Sequence, residues 1–354
     1  MDTLIAILSF FIVIVVLVLV HELGHFITAK ASGVRVLEFG FGFAPRLISI
    51  KRGETVYSLN LIPLGGFVKL AGEEDPKAPG SLASKNARTR ILVLGAGSLA
   101  NLLLPLIFFS VALMVPHDVF IGKVIVKEIS AKSPAEIAGI IPGDYLLKVN
   151  GKPLDNNADL TRYVQLNLGK EITLLIQHAD GTTADIKVVP RWKPPEDQGA
   201  IGVLVTTTNV TTIRQSYPFW KAIPMGVTNS IETFLLFKNG IVSMIIGAAP
   251  ANVTGPVGIA QLTVEVAKAG ISPLLDFTAF LSINLAIFNI FPLPGLDGGR
   301  IAFVIVEKIR RGKRISPRTE GLIHYIGFIV LMVFILAITY RDILRIISGD
   351  SLLR

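Results

Sequence analysis

The sequence holds no cysteine, which excludes a disulfide scaffold, a thiolate-bound zinc, an iron–sulfur cluster and a cysteine nucleophile. Charge is also scarce: 17% of the 354 residues are Asp, Glu, Lys or Arg, 51% are hydrophobic, and mean hydropathy is +0.62. These figures exclude a disordered or collagen-like chain and are too apolar for a soluble protein of this length. Phosphate-cradling glycine loops are missing too, because no Gly-x-Gly-x-x-Gly and no Lys-Ser/Thr ending accompanies the glycines of the first loop. The formal charge of +8 reads in such a chain as lysine and arginine of cytoplasmic loops, so no nucleic-acid partner is expected.

What is present in quantity is uncharged apolar sequence. A bilayer core takes about 20 apolar residues of helix, and four runs qualify, at 4–20, 91–115, 277–296 and 321–340. No basic region precedes the first run and no small-residue cleavage site follows it, so it is expected as a retained helix and not a signal peptide. A fifth run at 241–264 is interrupted by Pro250, Gly255, Pro256 and Gly258 and is not expected to cross as one helix.

Between the first two runs lie ten basic residues, Lys30 to Arg90, against five acidic ones, and between the third and fourth lie Lys308, Arg310, Arg311, Lys313, Arg314 and Arg318. The positive-inside rule assigns both loops to the cytoplasm. Residues 116–220 balance eleven basic against eleven acidic side chains and are expected outside, with both termini. The expected fold class is a polytopic α-helical membrane protein with four transmembrane helices, an inserted β-rich extracytoplasmic domain and a membrane-associated β segment in the first cytoplasmic loop. In chain order this gives a first transmembrane helix at 1–30, a cytoplasmic loop with β segments at 31–90, a second helix at 91–115 and the β-rich domain at 116–205. Extracytoplasmic amphipathic helices follow at 206–275, a third transmembrane helix at 276–308, a cytoplasmic loop at 309–320, a fourth helix at 321–341 and a tail at 342–354.

The first apolar run leads straight into His21-Glu22-Leu23-Gly24-His25. On a helix, residues four apart share a face, so His21 and His25 can offer two imidazoles to one zinc ion while Glu22 stands ready to take a proton from a bound water. Ionisable residues in a membrane segment are expensive and point to function. A catalytic zinc takes a third protein ligand and keeps one open position. His117 and His178 fall in the outer segment. His21 lies 17 residues after the start of the first run at Leu4 and Asp297 lies 20 after the start of the third at Phe277; at about 1.5 Å per residue the two depths agree within roughly 5 Å. His324, near the cytoplasmic start of the fourth run, remains the alternative by depth. Around Asp297, Asn289 to Gly299 includes Pro292, Pro294 and three glycines, residues that break a helix and suit an unwound segment lining a wet cavity.

Four motifs in order identify the chain as resembling the site-2 protease family of intramembrane zinc metalloproteases, in its bacterial branch with a PDZ domain between membrane segments. They are His21 to His25; Pro63-Leu64-Gly65-Gly66-Phe67-Val68-Lys69; Gly97-Ser98-Leu99-Ala100-Asn101; and Asn289 to Gly299, which is similar to the family's Asn-x-x-Pro-x-Pro-x-Leu-Asp-Gly-Gly signature. The resemblance covers essentially the whole chain. It implies zinc held by His21, His25 and Asp297, Glu22 as general base, and hydrolysis of a substrate's transmembrane segment within regulated intramembrane proteolysis, with anti-sigma factors or signal-peptide remnants as the family's substrates. Asn289, Pro292, Pro294, Asn101, Gly65 and Gly66 are the residues it suggests as binding substrate or supporting the site. The best-known enterobacterial form is longer and carries two PDZ domains, whereas one is evident here.

Ser133 to Asp144 followed by Leu147 to Gly151 resembles a PDZ domain of the kind found on bacterial proteases, which binds extended chains or C-termini at a sheet edge or gates access sterically. In the first loop, 34–43 and 57–70 read as β segments rich in aromatics and glycine, a composition that permits close backbone approach; in the family such loops hold the substrate as an added strand. Asn101 has an ordinary reading as an interhelical hydrogen bond. Two rival functions are an inactive membrane-tethered PDZ scaffold, which would need no stoichiometric zinc, and a transporter, for which no inverted repeat is visible.

Overall fold

The computed structural model describes residues 2–73, 75–250 and 253–348, and gives the backbone alone for 2–7, 63 and 64. The chain divides into two compact units, residues 1–112 with 253–354, and residues 113–252.

The first unit is helical. Helix α1 (Asp2–Ala31) runs without glycine or proline until Gly24. After it come strands β1 (Val36–Arg52) and β2 (Thr55–Leu70), then helix α2 (Ala87–Met114). The two strands bend, with repeated register shifts, so that residues 38–41 lie alongside both 56–59 and 66–69, and 46–52 pair with 55–60. The sheet is therefore a small curled one of several short runs, with 66–69 on one border.

The second unit intervenes in the chain before the rest of this one: α6 (Pro256–Ala269), α7 (Ile271–Ile290), α8 (Asp297–Ile309) and α9 (Pro317–Ile347). Among the described residues, four helices are long and apolar enough to cross a membrane: α1 from Leu8, α2, α7 and α9. None of the most apolar stretch of α9 is buried within the protein, and Leu322, Ile326, Val330 and Val333 stand exposed. Such a surface suits hydrocarbon rather than water.

The structure divides the expected third helix. Helix α7 stops at Ile290, Phe291 to Leu296 are unwound, and α8 restarts at Asp297. The cause is local: Pro292 and Pro294 lack backbone donors, and the residue before a proline is driven out of the helical region, as the extended Phe291 (φ −62°, ψ 144°) is. The boundaries of 206–275 also differ from expectation. Thr- and Val-rich sequence carries a strand on to Gln215, as β-branched residues favour. Helix α6 belongs to the helical unit, where it packs against α1, α7 and α9. Its first turn is fixed by Asp342 of α9, fully buried, whose Oδ2 accepts the Gly258 N–H at 2.9 Å. At 14 residues α6 is too short to span, and the run 241–264 is broken between it and the preceding helix. Residues expected as a tail from 342 continue α9 to Ile347; 349–354 lie outside the described residues.

The second unit is a β-domain with a helix after it. Its strands are β3 (His117–Ile129), β4 (Tyr145–Val149), β5 (Lys152–Pro153), β6 (Ile172–Gln177), β7 (Thr183–Val188) and β8 (Val203–Gln215). They form one antiparallel sheet in the order β7-β6-β4-β3-β8, with β5 beside β4. Helices α3 (Pro134–Ile137) and α4 (Asn157–Leu166) accompany the sheet. Strict alternation in β6, whose Ile172, Leu174 and Ile176 are buried, supplies the centre of a core completed by Val124, Val126, Leu146 and Val149. Helix α5 (Phe219–Ile245) closes the unit, tied to α4 by Arg162 with Glu232 at 2.8 Å and by the Asn239 side-chain amide donating to the Gln165 carbonyl at 2.8 Å.

Candidate metal centre and active-site cleft

Three side chains from two elements meet inside the helical unit. The four-residue spacing puts His21 and His25 on one face of α1, with Nε2 atoms 3.2 Å apart and each residue 8% exposed. Asp297 opens α8, immediately after the extended Leu296; its Oδ2 lies 3.0 Å from His21 Nε2 and 3.2 Å from His25 Nε2. Among the described residues this is the cluster of His, Asp or Glu able to hold a metal ion.

The donor set fits zinc. His25 Nδ1 stands 2.8 Å from the Val93 carbonyl of α2, an acceptor only, so Nδ1 carries the proton and Nε2 presents its lone pair to the carboxylate oxygen. The lone pairs of His25 Nε2 and the Asp297 carboxylate, 3.2 Å apart, repel one another unless a cation lies between them, and His21 Nε2 stands 3.0 Å from the same oxygen. Around a tetrahedral ion with bonds of about 2.0–2.1 Å, ligand atoms stand about 3.3 Å apart, close to the triangle observed. Hard oxygen-only chemistry is disfavoured by the two imidazoles.

Helix α2 shapes this triangle. A Cβ built on Gly97 would lie 2.4 Å from His25 Nε2 and 2.7 Å from His21 Nε2, so only a hydrogen leaves room for the ligand atoms. Glycine has a similar role at the start of α8: a Cβ on Gly298 would lie 2.1 Å from the Phe291 carbonyl oxygen, which lets the unwound segment fold back over the first turn that carries Asp297.

Beside the triangle is an open cleft. It is lined by Val18, His21 and Glu22 of α1, Gly65 and Gly66 of β2, Leu285 and Asn289 of α7, and Gly295, Leu296 and Asp297. Gly66 packs directly on Glu22, a Cβ there coming within 2.9 Å of Glu22 Cγ. The cleft thus gathers a carboxylate, a candidate metal site, a sheet border and an amide from residues hundreds of positions apart.

Other residues singled out from the sequence lie elsewhere. Pro292 is exposed and Pro294 packs against α9, where a Cβ on Gly327 would meet it at 2.4 Å; both shape the unwound segment without lining the cleft. Asn101 is fully buried and is absent from the cleft lining. Its carbonyl accepts the Ser282 hydroxyl at 2.7 Å, while its side-chain atoms have no partner among the described residues. His324 is outside the metal cluster; its Nδ1 accepts the Gly295 N–H at 3.0 Å and so holds the unwound segment. His117 and His178 belong to the β-domain, where His178 Nδ1 pairs with buried Asp144 at 2.8 Å. Sequence reasoning missed Val93 and the steric role of Gly97, both on the helix that carries the third motif.

A family model described as peptidase family M50 matches residues 9–334. A sequence of Clostridium perfringens with a provisional zinc metalloprotease name is 36% identical over 335 residues, covering 93% of this chain and 95% of its own length. Zinc metalloprotease RasP of Geobacillus kaustophilus is 29% identical over 430 residues (97% and 98%), and the regulator of sigma-W protease RasP of Bacillus subtilis is 28% identical over 423 residues (96% and 98%). The matched span reaches from α1 into α9, taking in both histidines, Glu22 and Asp297, and by that extent of agreement the chain belongs to peptidase family M50.

Proposed function

We propose that the protein is an intramembrane zinc metalloprotease of the site-2 type, in which His21, His25 and Asp297 hold Zn²⁺ and Glu22 is the general base. The observation that carries this reading is the convergence of three metal-ligating atoms beside Glu22 in one cleft among helices long enough to span a bilayer. Zinc, when bound, lowers the pKa of a coordinated water to about 7 and polarises a carbonyl. Glu22 takes the proton from the attacking water and returns it to the leaving amine. Val93 keeps His25 in the tautomer whose Nε2 binds metal.

The substrate is a membrane protein cleaved within or near a transmembrane segment. A helical substrate hides its carbonyls in its own hydrogen bonds, so it must be drawn out before water can attack. The border run 66–69, with Gly66 against Glu22, suits pairing with an extended substrate, and Asn289 across the cleft can hydrogen-bond its backbone. Gly65 leaves room for that chain. Anti-sigma factors and signal-peptide remnants are the candidate classes. The β-domain is read as a PDZ domain that takes a peptide or C-terminus, or limits access. The protein is a multi-pass protein of the cell membrane, with both termini and the β-domain outside and the site toward the cytoplasmic side.

Glu22→Gln tests the chemistry. In liposomes with a transmembrane reporter it should lower cleavage by at least about a hundred-fold while zinc content stays stoichiometric; undiminished cleavage would sink the assignment. A scaffold without activity is distinguished by purified protein that binds no zinc. Because the chain has no cysteine, single cysteines introduced at Lys187 and Lys313 report orientation directly. Impermeant reagent added outside intact cells should label the first and spare the second.

A further inference from the structure

Two of the ligands share α1, but the third stands on a separate short helix, so its position depends on what holds α8. The stripe Asp297, Ile301, Val304 and Glu307 follows the three-to-four residue spacing of one helix face. Val304 is 2% exposed and packs in a cluster with Ala29, Val93 and Leu94. At the far end, Glu307 accepts from Arg90 Nη1 at 2.5 Å and from Arg314 Nε at 3.0 Å. Arg90, at the start of α2, is itself 7% exposed.

Arg90 lies one turn before Val93, whose carbonyl fixes His25, and Gly97 one turn further on touches both histidines. Helix α2 therefore holds His25 through Val93 and grips α8 through Arg90. Sliding or turning α8 would leave a buried guanidinium without its carboxylate, which is costly, so the pair favours one register of α8 over its neighbours. A second contact, Glu73 with Arg300, lies nearer Asp297 but is more exposed, and exposed pairs contribute little.

We propose that Arg90 and Glu307 are positioning residues that set the Asp297 carboxylate against His21 and His25, with Arg314 as the second partner of Glu307. The inference rests on the ligand set proposed above. It is tested on the full-length protein in detergent, by zinc affinity in competition with a chelator and by the visible absorption of the Co²⁺-loaded form, which reports the number and geometry of ligands. Glu307→Gln should weaken zinc binding about 10- to 100-fold, as loss of a ligand's support does, and alter the Co²⁺ band. The exchange Arg90→Glu with Glu307→Arg should restore both toward the original values.

Unchanged affinity and spectrum in folded Glu307→Gln overturn the inference, as does an exchange variant no better than the single one. If Glu307→Gln does not fold, Glu307→Asp, which draws the carboxylate back from Arg90, and Arg90→Lys, which keeps the charge but not the guanidinium contact, decide: a weakened affinity in either supports the inference, and wild-type behaviour in both overturns it. Asp297→Asn separates the two readings. If it leaves affinity and spectrum intact, the ligand assignment is wrong; if it changes them while the Glu307 variants do not, positioning alone fails.

Discussion

Both units of this chain bury aliphatic side chains, but they differ in the polar groups buried with them. In the β-domain the interior is aliphatic, with Leu174, Ile176 and Val124 fully buried. Its buried carboxylate, Asp144, holds the local structure together, since one oxygen pairs with His178 and the other accepts the Ile141 N–H at 3.0 Å. In the helical unit large apolar side chains face outward along α9, while His21, His25, Arg90, Asn101 and Asp342 are inside. The same observation, a buried polar group, therefore carries different weight in each. In the β-domain Asp144 fixes local structure; in the helical unit Asp342 does the same for the first turn of α6, but His21 and His25 are buried beside a cleft, where ionisable groups in an apolar setting point to function.

The contrast between the units is tested most severely at Gly97. Gly97→Ala would press a methyl group against Nε2 of both His21 and His25, the proposed ligand atoms, and zinc affinity should fall by about a hundred-fold or more, on the order of the largest effects seen for a ligand's surroundings. Melting of the β-domain should be unaffected. Chelator competition with calorimetry reads both, and an alanine at 97 that binds zinc normally contradicts the observed packing. The converse change is Leu174→Ala. It should cost the β-domain about 2–5 kcal/mol with zinc content preserved, so that a denaturant titration shows an early transition for that unit alone. A parallel loss of zinc would mean the two units do not behave as separately as their cores suggest.

How much of this was legible depended on sequence distance. His21 and His25 meet because helical periodicity is fixed, and the apolar runs disclosed four helices by length. The prolines at 292 and 294 disclosed a break, though not that α8 would begin at Asp297 itself. Contacts between distant segments left no such mark. Arg90 and Glu307 are 217 positions apart, and nothing local singles out either. Gly97 could be read as part of a motif but not as the residue that leaves room for His21 and His25 Nε2, because that role exists only once α1 is laid against α2. Depth alone could not separate His324 from Asp297; the difference is that His324, on α9, accepts the Gly295 N–H while Asp297 faces the two histidines. The irregular register of β1 and β2 and the docking of α6 beside α1 were likewise set by packing and not by pattern.

His324 supplies the smallest and most discriminating change. If polar groups inside the helical unit serve the site even where they do not touch it, removing one that holds the unwound segment should have a modest functional cost. His324→Ala deletes the acceptor of the Gly295 N–H, a bond of 3.0 Å, and an ordinary hydrogen bond contributes about 1 kcal/mol. That would lower the equilibrium constant for seating the segment by about five-fold, since about 1.4 kcal/mol is ten-fold. Cleavage of a transmembrane reporter should fall by up to that factor while zinc remains bound, because Asp297 is anchored independently by the helix that follows it. Loss of zinc in His324→Ala would instead make this histidine part of the metal's own support, and unchanged cleavage would place it with the purely structural polar groups of the β-domain.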